Sequence, residues 1–257
     1  MRFCILGSGS RGNSIFIETR KTKVLIDSGF SAVEMERRLN NIGCSVEEID
    51  AIFISHEHID HIKSVKVLSE KYGIKLFANK GTANEIRRIF NARMKFYIFL
   101  SNKVFEFKDL LVEPFSVFHD AVDPVGFSIK SGNFKFSVAT DLGFASSAVK
   151  TKMFGSDFVV LESNHDEEML KKSRRPDDLK RRILGRHGHL SNVSAANLLS
   201  EIYHKDLKNI VLAHLSEECN SPALAVETAK SFLSDKFSLH PEIDAASQNE
   251  LSRVYNF

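Results

Sequence analysis

Apolar and polar positions change period several times along this chain, and the changes mark out its elements. Residues 2–6 (RFCIL), 14–18 (SIFIE) and 23–27 (KVLID) are short β-branched and aromatic runs separated by turn formers. They predict three strands of a meander. A helical pattern follows over 31–41, then a strand at 51–55 (AIFIS), a helix over 60–72, a strand KLFA and a helix near 82–90. Strand signals return from 104 to 140 as VFEF, LLVEPFSV, GFSIK and FKFSVAT. The last two are joined around Ser131-Gly132, a hairpin signal. FVVLE (158–162) and NIVLA (209–213) are further apolar strands, with helical stretches after the first. Ser221-Pro222 then opens a helix as N-cap and first-turn proline. Meander and strand–helix units, given twice, predict an α/β chain of two similar halves, a two-sheet sandwich with helices outside.

The same pattern decides what the opening glycines are for. Gly7, Gly9 and Gly12 spell G-x-G-x-x-G, and Asp27 lies twenty residues beyond Gly7, the outline of a dinucleotide fingerprint. That fingerprint needs its third glycine to open a helix inside a βαβ unit. Here Gly12 leads into NSIFIE, a strand, so the loop joins strand to strand and the dinucleotide reading fails. A tight turn whose amides could face a site is the expected role, and Asp27 needs another one.

Composition narrows the class only coarsely. The 257 residues are 43% hydrophobic and 26% charged, which suits an ordinary globular protein of one large domain or two small ones. We take 1–257 as a single domain. A net charge of +2 means that any basic footprint must be local. Phenylalanine is abundant (21) and tryptophan absent, which points to core packing. Cys4, Cys44 and Cys219 show no CxxC spacing, so neither a disulfide framework nor a cysteine ligand is expected. The N-terminal apolar run is too short for a signal peptide, and no run approaches the roughly 20 residues of a membrane span. The expectation is a cytoplasmic protein with no membrane association.

Chemistry is concentrated in SHEHIDH, residues 55–61. His56, His58, Asp60 and His61 form H-x-H-x-D-H directly after an apolar strand. Alternate positions 56 and 58 can point the same way from an extended segment, while Asp60 and His61 begin a helix and turn toward a neighbouring point. Four such ligands can divide between two metals, and imidazole with carboxylate suits zinc, manganese or iron. His119, Asp141 and His214 each follow an apolar strand, where a loop-lined site would collect them.

These motifs together resemble the metallo-β-lactamase fold: Asp27 after VLI, the H-x-H-x-D-H segment, His119, Asp141 and His214. The resemblance implies a four-layer αββα sandwich of two mixed sheets with flanking helices, holding two divalent metal ions, zinc or manganese. It places His56, His58 and His119 on one metal and Asp60, His61 and His214 on the other. Asp141 would bridge them, with Asp27 orienting a ligand behind. The stretches GSGSRGNS, HEHIDHIKSV, HDAVDPVGF, TDLG, ESNHDEEML, GHLSN and AHLSEECNSP narrow the likeness to the YycJ/WalJ branch, associated with DNA exonuclease activity. Cys219-Asn220 departs from the two asparagines usual there, which puts a polar role for the first position in doubt.

Two divalent cations turn water into a nucleophile at neutral pH and shield a phosphate. By the same likeness His189, in GHLSN, would protonate the leaving group, the plain alternative being a histidine that only precedes a helix. His165, in ESNHD, is a further candidate for a phosphate contact, with Glu162 or Asp166 as its orienter, against a purely structural role. Residues 171–186 carry eight Lys/Arg against two Asp. Arg174, Arg175, Arg181 and Arg182 there would track a phosphate backbone, unless the run is simply a solvated helix face. With no basic-aromatic pattern in view, little sequence specificity is expected. The leading reading is a two-metal phosphodiesterase, a 5′-to-3′ DNA exonuclease by resemblance, with DNA repair as its setting. A ribonuclease, a small-molecule phosphodiesterase, a lactone or thioester hydrolase, and a non-catalytic nucleic-acid scaffold are the alternatives. Only 47 residues separate Asp141 from His189, too few for the inserted domain of β-CASP nucleases.

Overall fold

In the computed structural model, which describes residues 1–234 and 241–257, the chain forms two compact units. One comprises Met1–Pro114, Ala121–Val125 and Gln248–Phe257, the other Phe115–Asp120 and Gly126–Ser247. The expected meander is there as β1 (Arg2–Gly7), β2 (Ser14–Glu18) and β3 (Lys23–Ile26), followed by α1 (Ala32–Asn41) and β4 (Ala51–Phe53). Then come α2 (Ile59–Ile62), α3 (Val65–Tyr72), β5 (Lys75–Ala78), α4 (Lys80–Phe90), β6 (Phe96–Ile98) and the hairpin of β7 (Phe105–Phe107) with β8 (Leu110–Ser116). The second unit is built on β9 (Val125–Ser131), β10 (Phe134–Ala139), α5 (Ser147–Met153), β11 (Phe158–Glu162), α6 (Glu167–Lys172) and α7 (Asp177–Leu184). It continues with α8 (Asn192–Ile202), β12 (Asn209–Ala213), α9 (Pro222–Ser234) and β13 (Glu242–Ala245), and β14 (Tyr255–Asn256) belongs to the first unit.

Both sheets are mixed. The first runs β14-β1-β2-β3-β4-β5-β6, antiparallel as far as β3 and parallel beyond it. In the second unit the order β13-β12-β11-β10-β9 is parallel except for the β9–β10 hairpin, which turns at Gly132-Asn133. Parallel strands are reached by crossover helices, so each sheet buries a face against them and its strands read as unbroken apolar runs. Leu25, Ile52 and Leu76 are wholly buried with Met35 and Leu39 of α1, Leu68 of α3 and Ile86 of α4. Leu161, Ile210 and Leu212 are buried in the same way with Leu198 and Leu199 of α8 and Leu233 of α9. The phenylalanine excess does serve packing: Phe53, Phe77, Phe105 and Phe107 interlock with ring centroids 5.2–5.8 Å apart.

The opening loop joins β1 to antiparallel β2, and the Gly12 N–H closes it on the Gly9 carbonyl at 3.0 Å. The helix expected over 60–72 is instead two, α2 and α3. Ser64 between them donates its N–H to the Ser28 carbonyl at 3.1 Å and shares a 2.6 Å bond with the Ser28 hydroxyl. That tertiary capture has no local signature. The short strands β6, β13 and β14, and helix α5, fell below what periodicity resolves. The Ser221 hydroxyl does cap α9, accepting the Leu224 N–H at 3.2 Å. No helix among the described residues is long and apolar enough to cross a membrane.

In each unit the chemistry-bearing residues lie just past the carboxyl ends of parallel strands, where open α/β sheets place their ligands. Asp27 follows β3 and His56 follows β4; Asp141, Glu162 and His214 end or follow β10, β11 and β12. Asp27, Asp141 and His214 all take left-handed backbone conformations, with φ of 60°, 55° and 54°. Such a conformation costs a non-glycine residue about 1–3 kcal/mol and persists where surrounding structure enforces it, which is common at functional sites.

Candidate metal centre

Asp27 organises the first unit's ligand set. Its Oδ1 accepts the Ser55 N–H at 2.8 Å, and its Oδ2 accepts the Ser55 hydroxyl at 2.7 Å. The same Oδ2 lies 2.8 Å from His61 Nδ1, so that nitrogen carries the hydrogen and donates it. Since the Ser55 hydrogen is spent on Asp27, Ser55 Oγ accepts from His56 Nδ1 at 2.9 Å. Both Nδ1 atoms are thereby committed, which leaves Nε2 of each ring as the nitrogen that would coordinate a metal, the arrangement that a carboxylate behind a metal-ligating histidine produces. His58 extends from the same strand end, its ring 4.6 Å from that of His56, and His56 and His61 are 4.1 Å apart. Asp60 Oδ2 stands 3.6 Å from His61 Nε2. The structure brings Asp27, His56, His58, Asp60 and His61 together.

Asn13 completes this set, and it supplies the role of the glycine loop. Its side-chain amide donates to Asp60 Oδ2 at 3.2 Å and to His61 Nε2 at 3.0 Å, while its Oδ1 accepts the Gly9 N–H at 2.8 Å. The loop presents a side-chain amide to the ligand pair, where bare backbone amides were expected. Its neighbourhood is tight: a Cβ on Gly29 would sit 1.6 Å from the Asp60 carbonyl oxygen.

In the second unit Glu162 plays the organising part. It is wholly buried. Its Oε1 accepts from both His189 Nδ1 and His214 Nδ1 at 2.8 Å, and its Oε2 accepts the Leu142 and Leu190 N–H groups at 2.9 and 3.0 Å. Burial pushes this carboxyl up, but the two imidazoles and their hydrogen bonds prevail and hold it below the usual carboxylate range. Asp141, Glu162, His189 and His214 offer ligand atoms all within 4.8 Å of one another. His119 lies 3.6 Å through Nε2 from Asp141 Oδ1 and donates its Nδ1 hydrogen to the Gly188 carbonyl at 3.2 Å. His119, Asp141, His189 and His214 are thus gathered as expected.

The donor set suits a divalent metal. His56, His61, His119 and His214 each tie Nδ1 to a protein acceptor, so Nε2 is the nitrogen each would give a metal, His61 by exchanging its Asn13 contact, and the remaining donors are carboxylates and His58.

The expectation for His165 needs correction. Neither proposed orienter serves His165: Glu162 is occupied by His189 and His214, and Asp166 caps α6 by accepting the Met169 N–H at 2.8 Å. His165 is 1% exposed and neither ring nitrogen has a hydrogen-bond partner among the described residues, so it offers no contact to a ligand in solution. Burial lowers its pKa, which keeps the ring neutral. Three of the four arginines are engaged: Arg175 with Glu218 at 2.8 Å, Arg182 with Asp120 at 2.7 Å, and Arg181 with Asp178. Arg174 is exposed. Solvent-accessible pairs of this kind are worth about 0–1 kcal/mol.

Cys219 is buried with Leu170 and Ile183, pinning α6 and α7 from beneath. The polar work falls to Asn220, whose Nδ2 reaches the Ser163 and Asn164 carbonyls at 2.8 and 3.1 Å and which pairs doubly with Asn192 at 2.9 Å. Asn164 in turn donates to the His214 carbonyl at 2.8 Å. Asn220→Ala leaves several buried groups unsatisfied, at about 1–3 kcal/mol each. A thermal melt should show a drop of several degrees, and an unchanged midpoint would remove the network from the account.

Residues 22–214 match the family model described as a beta-lactamase superfamily domain. Exodeoxyribonuclease YycJ of Bacillus anthracis is 36% identical over 239 residues, 92% of this chain and 90% of that protein. The chain belongs to the YycJ/WalJ family of the metallo-β-lactamase superfamily. Exodeoxyribonuclease WalJ of Streptococcus pneumoniae serotype 2 (strain D39) is 37% identical over 230 residues, 87% of this chain and 85% of that protein. Among solved structures, the metallo-β-lactamase-fold protein YhfI of Bacillus subtilis aligns over 99% of this chain and 98% of its own, with TM-score 0.76 and 15% identity. Zn(2+)-bound PqqB of Methylobacterium extorquens aligns over 100% of both chains, with TM-score 0.71 and 16% identity. The chain is a metal-dependent hydrolase of this fold, and a fold of this kind binds divalent metal.

Proposed function

We propose that this member of the YycJ/WalJ family is a two-metal phosphodiesterase that degrades DNA from its ends in the 5′-to-3′ direction, in the cytoplasm and in the service of DNA repair. His56, His58 and His119 would hold one cation and Asp60, His61 and His214 the other, with Asp141 as a ligand to both; zinc and manganese both suit this set. When bound, the cations activate water as the nucleophile and offset the charge of the phosphate.

The observation that carries the reading is the Glu162 clamp. Because His189 donates its Nδ1 hydrogen to Glu162 Oε1 at 2.8 Å, the proton available for the leaving oxygen is the one on Nε2. Glu162 steadies the positive charge of that ring before the proton is given up. It holds ligand His214 through the same oxygen, so proton donor and ligand keep one fixed relation. Asp27 and Ser55 do the equivalent for His56 and His61.

End-labelled single- and double-stranded DNA and RNA, each incubated with the protein in manganese and in zinc, test the proposal. Stepwise shortening of DNA from the 5′ end is expected. Cleavage of RNA in its place would contradict the substrate, and no cleavage of either would contradict the activity.

For the basic segment, replacing Arg174, Arg175, Arg181 and Arg182 by alanine should weaken DNA binding. The slope of log affinity against log salt should flatten by about 3, at roughly 0.7 for each phosphate of a single strand that is no longer neutralised. Parental and variant slopes that coincide would remove these residues from the interface.

A further inference from the structure

The second unit carries an exposed aromatic cluster that no part of the reaction just described uses. Phe118 and Phe144 are 36% and 40% exposed. Their centroids lie 5.9 Å apart in an edge-to-face pair, and the Arg186 guanidinium sits 5.1 Å from one and 4.3 Å from the other. The exposed His187 ring adds a fourth planar group, 5.9 Å from Phe118.

The position of the cluster says what it is for. Its members come from the three segments that carry His119, Asp141 and His189, and the backbone ties these segments together. Phe118 immediately precedes His119, and its carbonyl accepts the Gly143 N–H at 2.8 Å, two residues past Asp141. Gly188, between His187 and His189, accepts from His119 Nδ1 at 3.2 Å. Gly143 itself lies so close to Arg186 that a Cβ there would be 2.4 Å from the Arg186 carbonyl oxygen. The aromatic surface is therefore rigidly referenced to the groups that would act on the phosphate.

We infer that Phe118, Phe144, Arg186 and His187 form a stacking platform for unpaired nucleobases at the end of a single-stranded nucleic acid; this rests on the nuclease reading above. A π-face with an arginine beside it accepts every base, so the platform binds single strands without reading sequence. The four residues are spread from 118 to 187, which is why no basic-aromatic pattern is visible along the chain.

The test compares two phosphorothioate-linked single-stranded oligonucleotides, labelled at the 3′ end, one with thymine bases at its 5′ terminus and one with abasic sites there. Their affinities for the metal-loaded protein are measured by fluorescence anisotropy. The parent should prefer the base-bearing strand by about tenfold per stacked base. In Phe118→Ala/Phe144→Ala the ratio should fall to near unity. Phe118→Ala/Phe144→Trp should regain it in part, and because the chain has no other tryptophan, its emission should be quenched by the base-bearing strand and not by the abasic one. Equal affinities in the parent, or a ratio that survives the double alanine change, would overturn the platform. A parent that degrades DNA yet shows equal affinities loses the platform alone; one that neither cuts nor binds loses the nuclease reading as well.

Discussion

Asp60→Ala should abolish hydrolysis of end-labelled DNA while leaving DNA binding largely in place. Asp60 supplies an anionic oxygen to the ligand set of the first unit, 3.6 Å from His61 Nε2, and receives the Asn13 amide. Losing that charge removes one cation's hold and several kcal/mol of transition-state stabilisation, about a thousandfold or more in kcat. The arginines and aromatic rings proposed to bind DNA are not touched by the substitution, so anisotropy with labelled DNA should change little. Parental turnover in the variant would refute the assignment of this residue.

Glu162→Gln is the more discriminating substitution. The glutamine is nearly isosteric, yet one end becomes a donor facing either two histidine N–H groups or the Leu142 and Leu190 N–H groups, all of which need acceptors. Either orientation breaks half the clamp. Carboxylates of this kind typically govern metal affinity or activity by about 10–100-fold. We expect kcat at saturating metal to fall by about 100-fold, with metal held about tenfold more weakly. The sign for pH follows from the depressed Glu162 carboxyl. Its contribution to stability is present above the ordinary carboxylate pKa and is lost as pH falls through the depressed value. The parent should therefore lose more stability than the glutamine variant on acidification. Matching kinetics for both proteins would show that the clamp does nothing beyond packing.

How much of this is legible in the sequence depends on whether a feature is local. The strand-to-strand reading of the glycine loop is available because Gly12 is followed by residues that fit a pleated surface and not a helix. Asp27, His56, His58, Asp60, His61, His119, Asp141 and His214 stand out because each ends or follows an apolar run or sits in a ligand-rich motif, whereas His189 is singled out by the family resemblance alone. The same rule singles out Glu162 at the end of FVVLE, but its partners His189 and His214 are distant in sequence, whereas its near neighbour His165 is the misleading one. Asn13 leaves no such trace. Its value comes from a fold that brings residue 13 to residues 60 and 61, as does that of Ser28 in breaking the helix at Ser64. The aromatic platform is the extreme case, assembled from loops that only the tertiary structure brings together.

The central proposal, that the histidines and carboxylates hold a pair of cations on which DNA hydrolysis depends, is tested most directly by metal analysis joined to activity. Protein purified without chelator should contain about two divalent cations per chain. Chelation should remove them together with exonuclease activity, and manganese or zinc should restore both. A demetallated chain that shortens end-labelled DNA at the parental rate would contradict the account.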